Sequence, residues 1–326
     1  MNPAQADSFL RVPYDLRPKK QVERRMLIDA FQILASEGFA IRDYQYTGMG
    51  STYFVDFILF HKFLGIHDMV SVEHSEGYRR RVEFNRPFRL VTLKAGRIGD
   101  YIPDLAADRR HLVWLDYDMP LTASLLGDVA LAATYLSPGS ILLITVDVEP
   151  PKPDPAEGGE TPAAETGTPA AWQAYFMKQA GAYLDPGWST MDFAKSKLPL
   201  VNSHALEGAI RNGLTGRADL EFTAMFNFEY ADGHRMVTCG GMFATAAERG
   251  KLAGSALYKT IYARRAFAST YEILVPLLTR KERLHLDSIM PRLTSEVFKD
   301  FEIDEEDLKA YSEVYRFLPA YAELLL

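Results

Sequence analysis

A single cysteine, Cys239, stands in 326 residues, so no internal disulfide can form and no cysteine-based zinc site can be built. A reducing, cytoplasmic location fits that count. Long apolar runs are missing as well. The N-terminal MNPAQADSFLRVPYDLRP has no apolar core of signal-peptide length, and the most apolar short run, Ile141 to Val148, is too short to cross a bilayer. A membrane-spanning placement is therefore not expected. Positive charge is in deficit: 36 Lys and Arg against 43 Asp and Glu give a net charge of -7. Such a chain gains little from phosphate backbones in general, which leaves nucleic acid as a partner only through local basic patches. The 7 histidines are scattered without metal-ligand spacing.

What the chain does have is an ordinary globular balance, 48% hydrophobic and 24% charged. After Pro18, the run KKQVERRMLIDAFQILASEGF places Val22, Met26, Phe31 and Leu34 on one helical face, with Gly38 as a stop. Arg24 and Arg25 fall toward its solvent side in that reading. Then extended and helical stretches alternate. Asp43–Thr47 is extended and ends in a glycine turn, followed by a helix over Tyr53–Leu64. Met69–His74, Leu90–Leu93, His111–Asp116 and Ile141–Val148 read as strands, with helices over Gly77–Glu83, Ile98–Leu105 and Leu121–Leu136 between them. That alternation predicts a parallel sheet with helices on both faces.

Residues 150–171, rich in proline, glycine, alanine and glutamate, read as a mobile loop within one fold. Downstream, EFTAMFNFEY and HRMVTCGGMFAT flank Ala231-Asp232-Gly233, a strong hairpin signal. The expected fold is α/β: a mostly parallel seven-stranded sheet with helices on both faces and a terminal antiparallel hairpin. Its divisions are a helical N-terminal segment at 1–41, the sheet domain at 42–260 and a helical C-terminal segment at 261–326. In the last of these, Thr279 and Asp304 are placed to cap helices.

Candidate chemistry begins at TGMGS. Gly48 and Gly50 can adopt backbone angles closed to other residues and let a ligand approach the main chain, and Ser51 and Thr52 stand where a helix begins. The alternative is a tight corner with no ligand. Glu73 ends the second strand, where a carboxylate can take the two hydroxyls of a ribose. Asp116, Tyr117 and Asp118 end the fourth strand, on the edge where open α/β sheets bind ligands. Tyr117 could pack on a cation and Asp118 could accept a proton; alternatively, some of these acids cap the helix near Leu121. Basic residues cluster at Arg17 to Arg25 and at Arg79-Arg80-Arg81 with Arg86 and Arg89. If both runs flank one cleft, they suit a phosphate-bearing or nucleic-acid substrate; otherwise they are solvated helix faces.

The order of these elements resembles the class I S-adenosylmethionine-dependent methyltransferases, over roughly Arg42 to Val148 plus the hairpin. TGMGS is similar to that family's glycine loop, VSVEH to its ribose-acid strand, LKAGRIGDYIPDL to its third-strand segment and VWLDYDMPL to its fourth. Tyr46-Thr47 stand where that family usually has an acid, and the third glycine is missing. Arg97 follows Gly96 where an adenine-contacting acid would be commoner, with Asp100 close by. The resemblance implies S-adenosylmethionine as cofactor, held by Gly48, Gly50, Ser51, Glu73, Gly96 and Arg97. It implies methyl transfer to an oxygen or nitrogen of a small-molecule or macromolecular acceptor, with Asp116, Tyr117 and Asp118 as catalytic residues. Asp147 and Glu149 could join Asp116 and Asp118 around a divalent cation, as in catechol-type enzymes. Two other readings stay open: an inactive methyltransferase-like scaffold acting as a binding protein in a larger assembly, and a metal-dependent phosphatase that uses the Asp116-x-Asp118 strand end.

Overall fold

The structure, a computed structural model, describes residues 16–49, 52–74, 77, 79–150, 167–292 and 301–320. Helix α1 (Pro18–Ser36) leads into strand β1 (Gln45–Met49), and α2 (Val55–Leu64) returns to β2 (Asp68–Glu73). Next come α3 (Arg79–Asn85), β3 (Val91–Ala95), the single-turn α4 (Ile98–Tyr101), β4 (His111–Pro120), α5 (Ala123–Tyr135) and β5 (Ile141–Asp147). Helices α6 (Pro169–Ala180) and α7 (Leu198–Gly213) precede the hairpin of β6 (Glu221–Asp232) and β7 (His234–Ala244). The chain closes with α8 (Ala246–Ala253), β8 (Tyr271–Glu272), α9 (Arg280–Ile289) and α10 (Glu305–Val314).

The sheet order is β3-β2-β1-β4-β5-β7-β6-β8. Strands β1 to β5 are parallel to one another, and β7 is antiparallel to both β5 and β6. The mixed α/β sheet is therefore as expected, with eight strands instead of seven. The added strand, β8, has two residues, Tyr271 and Glu272, paired with Phe228 and Glu229 of β6. A two-residue strand is too short to carry a hydrophobic period, so only its pairing reveals it.

Local chemistry accounts for the elements. Every residue of β5 is buried, as befits a central strand covered on both faces. Helix α5 starts where the Thr122 hydroxyl accepts from the Leu125 N–H at 3.3 Å. It buries Leu125, Leu126, Val129, Ala132 and Ala133, one stripe at helical spacing. The hairpin turns at Gly233, whose φ of +100° suits a residue without a side chain. Thr279 caps α9 reciprocally with Glu282, as its sequence predicts, whereas Asp304 stands at the N-cap of α10 without a side-chain cap bond.

One core lies between the sheet and α1 with α2; it includes Met26, Phe31, Tyr46, Phe57, Phe60 and Trp114. The other lies under α5, α6 and α7 and includes Leu115, Tyr117, Leu126, Phe176 and Leu206. Of the expected loop 150–171, residues 151–166 lie outside the described residues. Its end is already helix, because the Thr168 hydroxyl caps α6 from just before Pro169.

Candidate active site

Because β1 to β5 and β6 all point the same way, their carboxyl ends gather along one edge of the sheet. Glu73, Gly96, Asp116, Asp147, Tyr230 and Asp232 stand at or beside those ends. Strand β4 runs on to Pro120 instead of stopping at Asp116, and its register with β5 breaks between Asp116 and Pro120. A bulge of this kind re-aims side chains, and bulges recur beside active sites.

The first two turns of α1 pack against this edge. The Asp232 carboxylate takes the Lys19 N–H at 3.2 Å and the Lys20 N–H at 2.9 Å, so a β6 residue caps the otherwise open helix N-terminus. Lys20 is 1% exposed, and its ammonium donates to Asp116 Oδ1 at 2.9 Å and to the Tyr230 hydroxyl at 3.1 Å. It also pairs with Glu23 Oε2 at 2.8 Å and lies 4.4 Å from the Trp114 ring centroid. Burial works against the Lys20 charge, but Asp116 and Glu23 more than offset it and hold its pKa above the ordinary lysine range.

Asp116 shows the complementary effect. Burial alone would raise its carboxyl, yet the Lys20 ammonium, helped by Arg24 and Arg17, holds it below the usual carboxylate range. Its side chain is 31% exposed, and Lys20 engages Oδ1 only. The edge thus carries an ionised carboxylate with one oxygen committed inward. Beside it, the Tyr46 hydroxyl donates to Asp56, whose pKa is raised by burial and only partly restrained by Arg24.

The cofactor side is different. Gly48 lies inside β1, buried, and a Cβ there would stand 2.6 Å from the Tyr46 hydroxyl and 3.1 Å from the Phe57 ring. The missing side chain makes room for the protein's own aromatics, a correction to its reading as a turn residue. Gly50 and Ser51 lie outside the described residues. Phe54, just before α2, has φ of +48°, an uncommon conformation for a bulky residue, and is 1% exposed. Glu73 Oε2 is shut off from solvent. The Glu73 carbonyl accepts from the Gly96 N–H at 2.9 Å, which ties the ends of β2 and β3 together. Gly96 has φ of +133°, and Arg97 next to it donates to Ser124 at 3.0 Å. Two buried hydroxyls, Thr47 and Thr52, make no hydrogen bond among the described residues. Orphaned donors and a half-buried acid at this edge fit a polar ligand such as an adenosyl cofactor.

Residues 12–326 match the family described as "Putative O-methyltransferase". The chain belongs to that family. Solved structures with a similar fold include Trm1 from Pyrococcus horikoshii, in complex with S-adenosyl-L-methionine, at 12% identity over 90% of this chain and 75% of that one, TM-score 0.46. Another is the O-methyltransferase TomG from Streptomyces achromogenes, involved in tomaymycin synthesis and in complex with SAM, at 15% identity over 73% and 94%, TM-score 0.36. A third is cofactor-bound Rv0187 from MTB, at 14% identity over 66% and 79%, TM-score 0.36. Among curated proteins there is no match.

For this O-methyltransferase family member, the three strand-end residues do not form one group. Strand alternation puts Asp116 on the α1 face with Trp114, and Tyr117 on the α5 face with Leu115. There the Tyr117 hydroxyl donates to Asp128 at 2.8 Å, so it does not share a wall with Asp116. Asp118 is exposed on the bulge. The four carboxylates expected around a cation also separate. Asp116 goes to Lys20, Asp147 to His234 at 3.0 Å and Glu149 to Lys195 at 3.1 Å. Among the described residues, no three of His, Cys, Asp and Glu converge as a metal site. The phosphatase reading fits poorly too: β4 is the fourth strand in sequence and lies within the sheet, with its leading aspartate paired to a lysine.

Sequence reasoning missed Lys20, Glu23 and Arg24, and it set Arg24 near solvent. All three are buried, at 1%, 0% and 3% exposure. Their spacing carried a signal. Positions 20, 23, 24, 27, 31 and 34 form one stripe at i, i+3, i+4 and i+7, so the charged residues extend the apolar face of Leu27, Phe31 and Leu34. The two basic runs also part company, because α1 supplies the buried network while Arg79, Arg86 and Arg89 line a cleft of α3 and β3 that reaches Glu73.

Proposed function

We propose that the chain transfers a methyl group from S-adenosylmethionine to an oxygen or nitrogen nucleophile. The observation that carries this reading is the ionised, part-exposed Asp116 at the carboxyl end of β4, set in the order β3-β2-β1-β4 with Glu73 ending β2. Family membership supports it. When bound, the cofactor would supply an electrophilic methyl carbon on a sulfonium. Glu73 would accept from the ribose hydroxyls, and Gly96 with Arg97 would line the adenine side. Gly48, through the room it leaves for Tyr46 and Phe57, would shape the floor of the cofactor side, and Gly50 and Ser51 would contact the cofactor.

On the acceptor side, Asp116 Oδ2 would orient the nucleophile and take its proton as the new carbon–oxygen or carbon–nitrogen bond forms. Lys20 would keep that carboxylate charged and fixed. Asp118 on the bulge is the second group placed to meet an acceptor. Tyr117, bonded to Asp128 beside the Arg97 loop, would brace the adenine side and leave the sulfonium to other groups.

Calorimetry with S-adenosylhomocysteine tests the proposal directly. Binding is expected, and Glu73→Ala should weaken it about 10- to 100-fold, the worth of a hydrogen bond to a charged group. A folded protein with no heat of binding at millimolar ligand would refute the cofactor. An unchanged affinity in E73A would refute the pocket.

A further inference from the structure

Helix α3 and strand β3 enclose a cleft of about 630 Å³ at the end of the sheet. Its walls carry Arg79, Arg86, Arg89 and Lys94, against the two acids Glu73 and Glu83. All four cations are exposed, and among the described residues none of them forms an ion pair. Several cations elsewhere do find partners: Lys20 with Asp116, Arg109 with Asp68, Arg110 with Glu248 and Arg235 with Glu229. Four cations against two acids, in a chain of net charge -7, are a local excess of positive charge. Screening confines its influence to about 8–10 Å, so the overall negative charge does not cancel it at contact range.

The outward face of α3 continues the pattern. Phe84 is 88% exposed, one helical turn from Arg80 and Arg81, which are also exposed. A solvated aromatic among guanidinium groups, beside a groove lined with cations, is what a single-stranded nucleic acid uses: phosphates in the groove and a base on the ring. Guanidinium forks match phosphate and carboxylate oxygens alike, so it is the exposed Phe84 ring, a stacking surface for a base, that favours a nucleic acid over a carboxylate peptide. Position matters too. Asp116 on β4 lies three strand spacings from β3, about 14 Å away, so an acceptor that reaches both must be extended, as a polynucleotide is.

We propose that the α3–β3 cleft binds the backbone of a single-stranded nucleic acid, which makes the methyl acceptor a polynucleotide. The second clause rests on the methyltransferase reading; the first does not. The test is fluorescence anisotropy with labelled oligouridylate and oligothymidylate of roughly 12 nucleotides, within the usual site sizes. Both should bind, with log K falling against log salt at a slope of about -3 for four phosphate contacts on a single strand. R86E/R89E should weaken binding at least tenfold and reduce the slope by about 1.4, while its affinity for S-adenosylhomocysteine stays unchanged. Tighter binding of one oligomer assigns RNA or DNA.

Three results would overturn the proposal. One is an absence of oligomer binding at low salt. Another is loss of S-adenosylhomocysteine affinity in R86E/R89E, which would give the cleft to the cofactor. The third is tighter binding of a labelled polyglutamate peptide than of either oligomer. Oligomer binding without S-adenosylhomocysteine binding would instead sink the methyltransferase reading and leave this site standing.

Discussion

Two basic runs, alike on the page, end in opposite physical states. Lys20 and Arg24 of α1 are buried, and Lys20 is paired on two sides, by Asp116 and Glu23. Arg79 and Arg86 at the ends of α3 are exposed and make no ion pair among the described residues. A charge taken out of water must be matched by an opposite one, so the α1 group is tied into the fold and cannot be lost quietly. A charge left in water needs no partner, so the α3 group is free to meet a ligand. The first set belongs to the architecture of the site; the second is open to recognition.

The largest effect should come from breaking the buried set. Lys20→Met strands Asp116 and Glu23 without their cation and should destabilise the fold by about 3–5 kcal/mol, seen as a lower urea midpoint. A midpoint within error of the wild type would mean that the network is incidental. An intermediate effect is expected in acid. The Asp116 carboxyl is depressed in the folded state, so the stability it contributes is present above the unfolded pKa of about 3.9 and is lost as pH falls below it. Asp116→Asn should flatten that part of the stability-against-pH curve below about pH 4. An identical acid limb in both proteins would contradict the pairing. The smallest effect sharpens the contrast: Arg86→Ala should move stability by no more than about 0.5 kcal/mol, as for other surface positions.

Much of the fold was legible. The alternating elements follow from hydrophobic period and from turn chemistry, both of which act over a few residues. The Asp232-Gly233 turn and the Thr279 cap are local signals and hold in place. The candidate site was legible in part. Glu73 and Asp116 reach the carboxyl edge because parallel strands carry their ends there. The separation of Asp116 from Tyr117 was also readable, since successive strand residues face opposite ways. Lys20 was not read as buried because a lysine is almost never fully buried unless it is paired, and its partners lie 96 and 210 residues away in Asp116 and Tyr230.

By itself, then, the sequence determined the succession of strands and helices and the acids toward the carboxyl ends of β2 and β4, because period, turn residues and strand direction are properties of short stretches. Only the tertiary structure decided which charges are buried, that Gly48 serves the packing of Tyr46 and Phe57, and that the carboxylates Asp116, Asp147 and Glu149 take separate partners instead of gathering in one place. Those outcomes depend on which distant side chain fills each space, and no local stretch of chain carries that information.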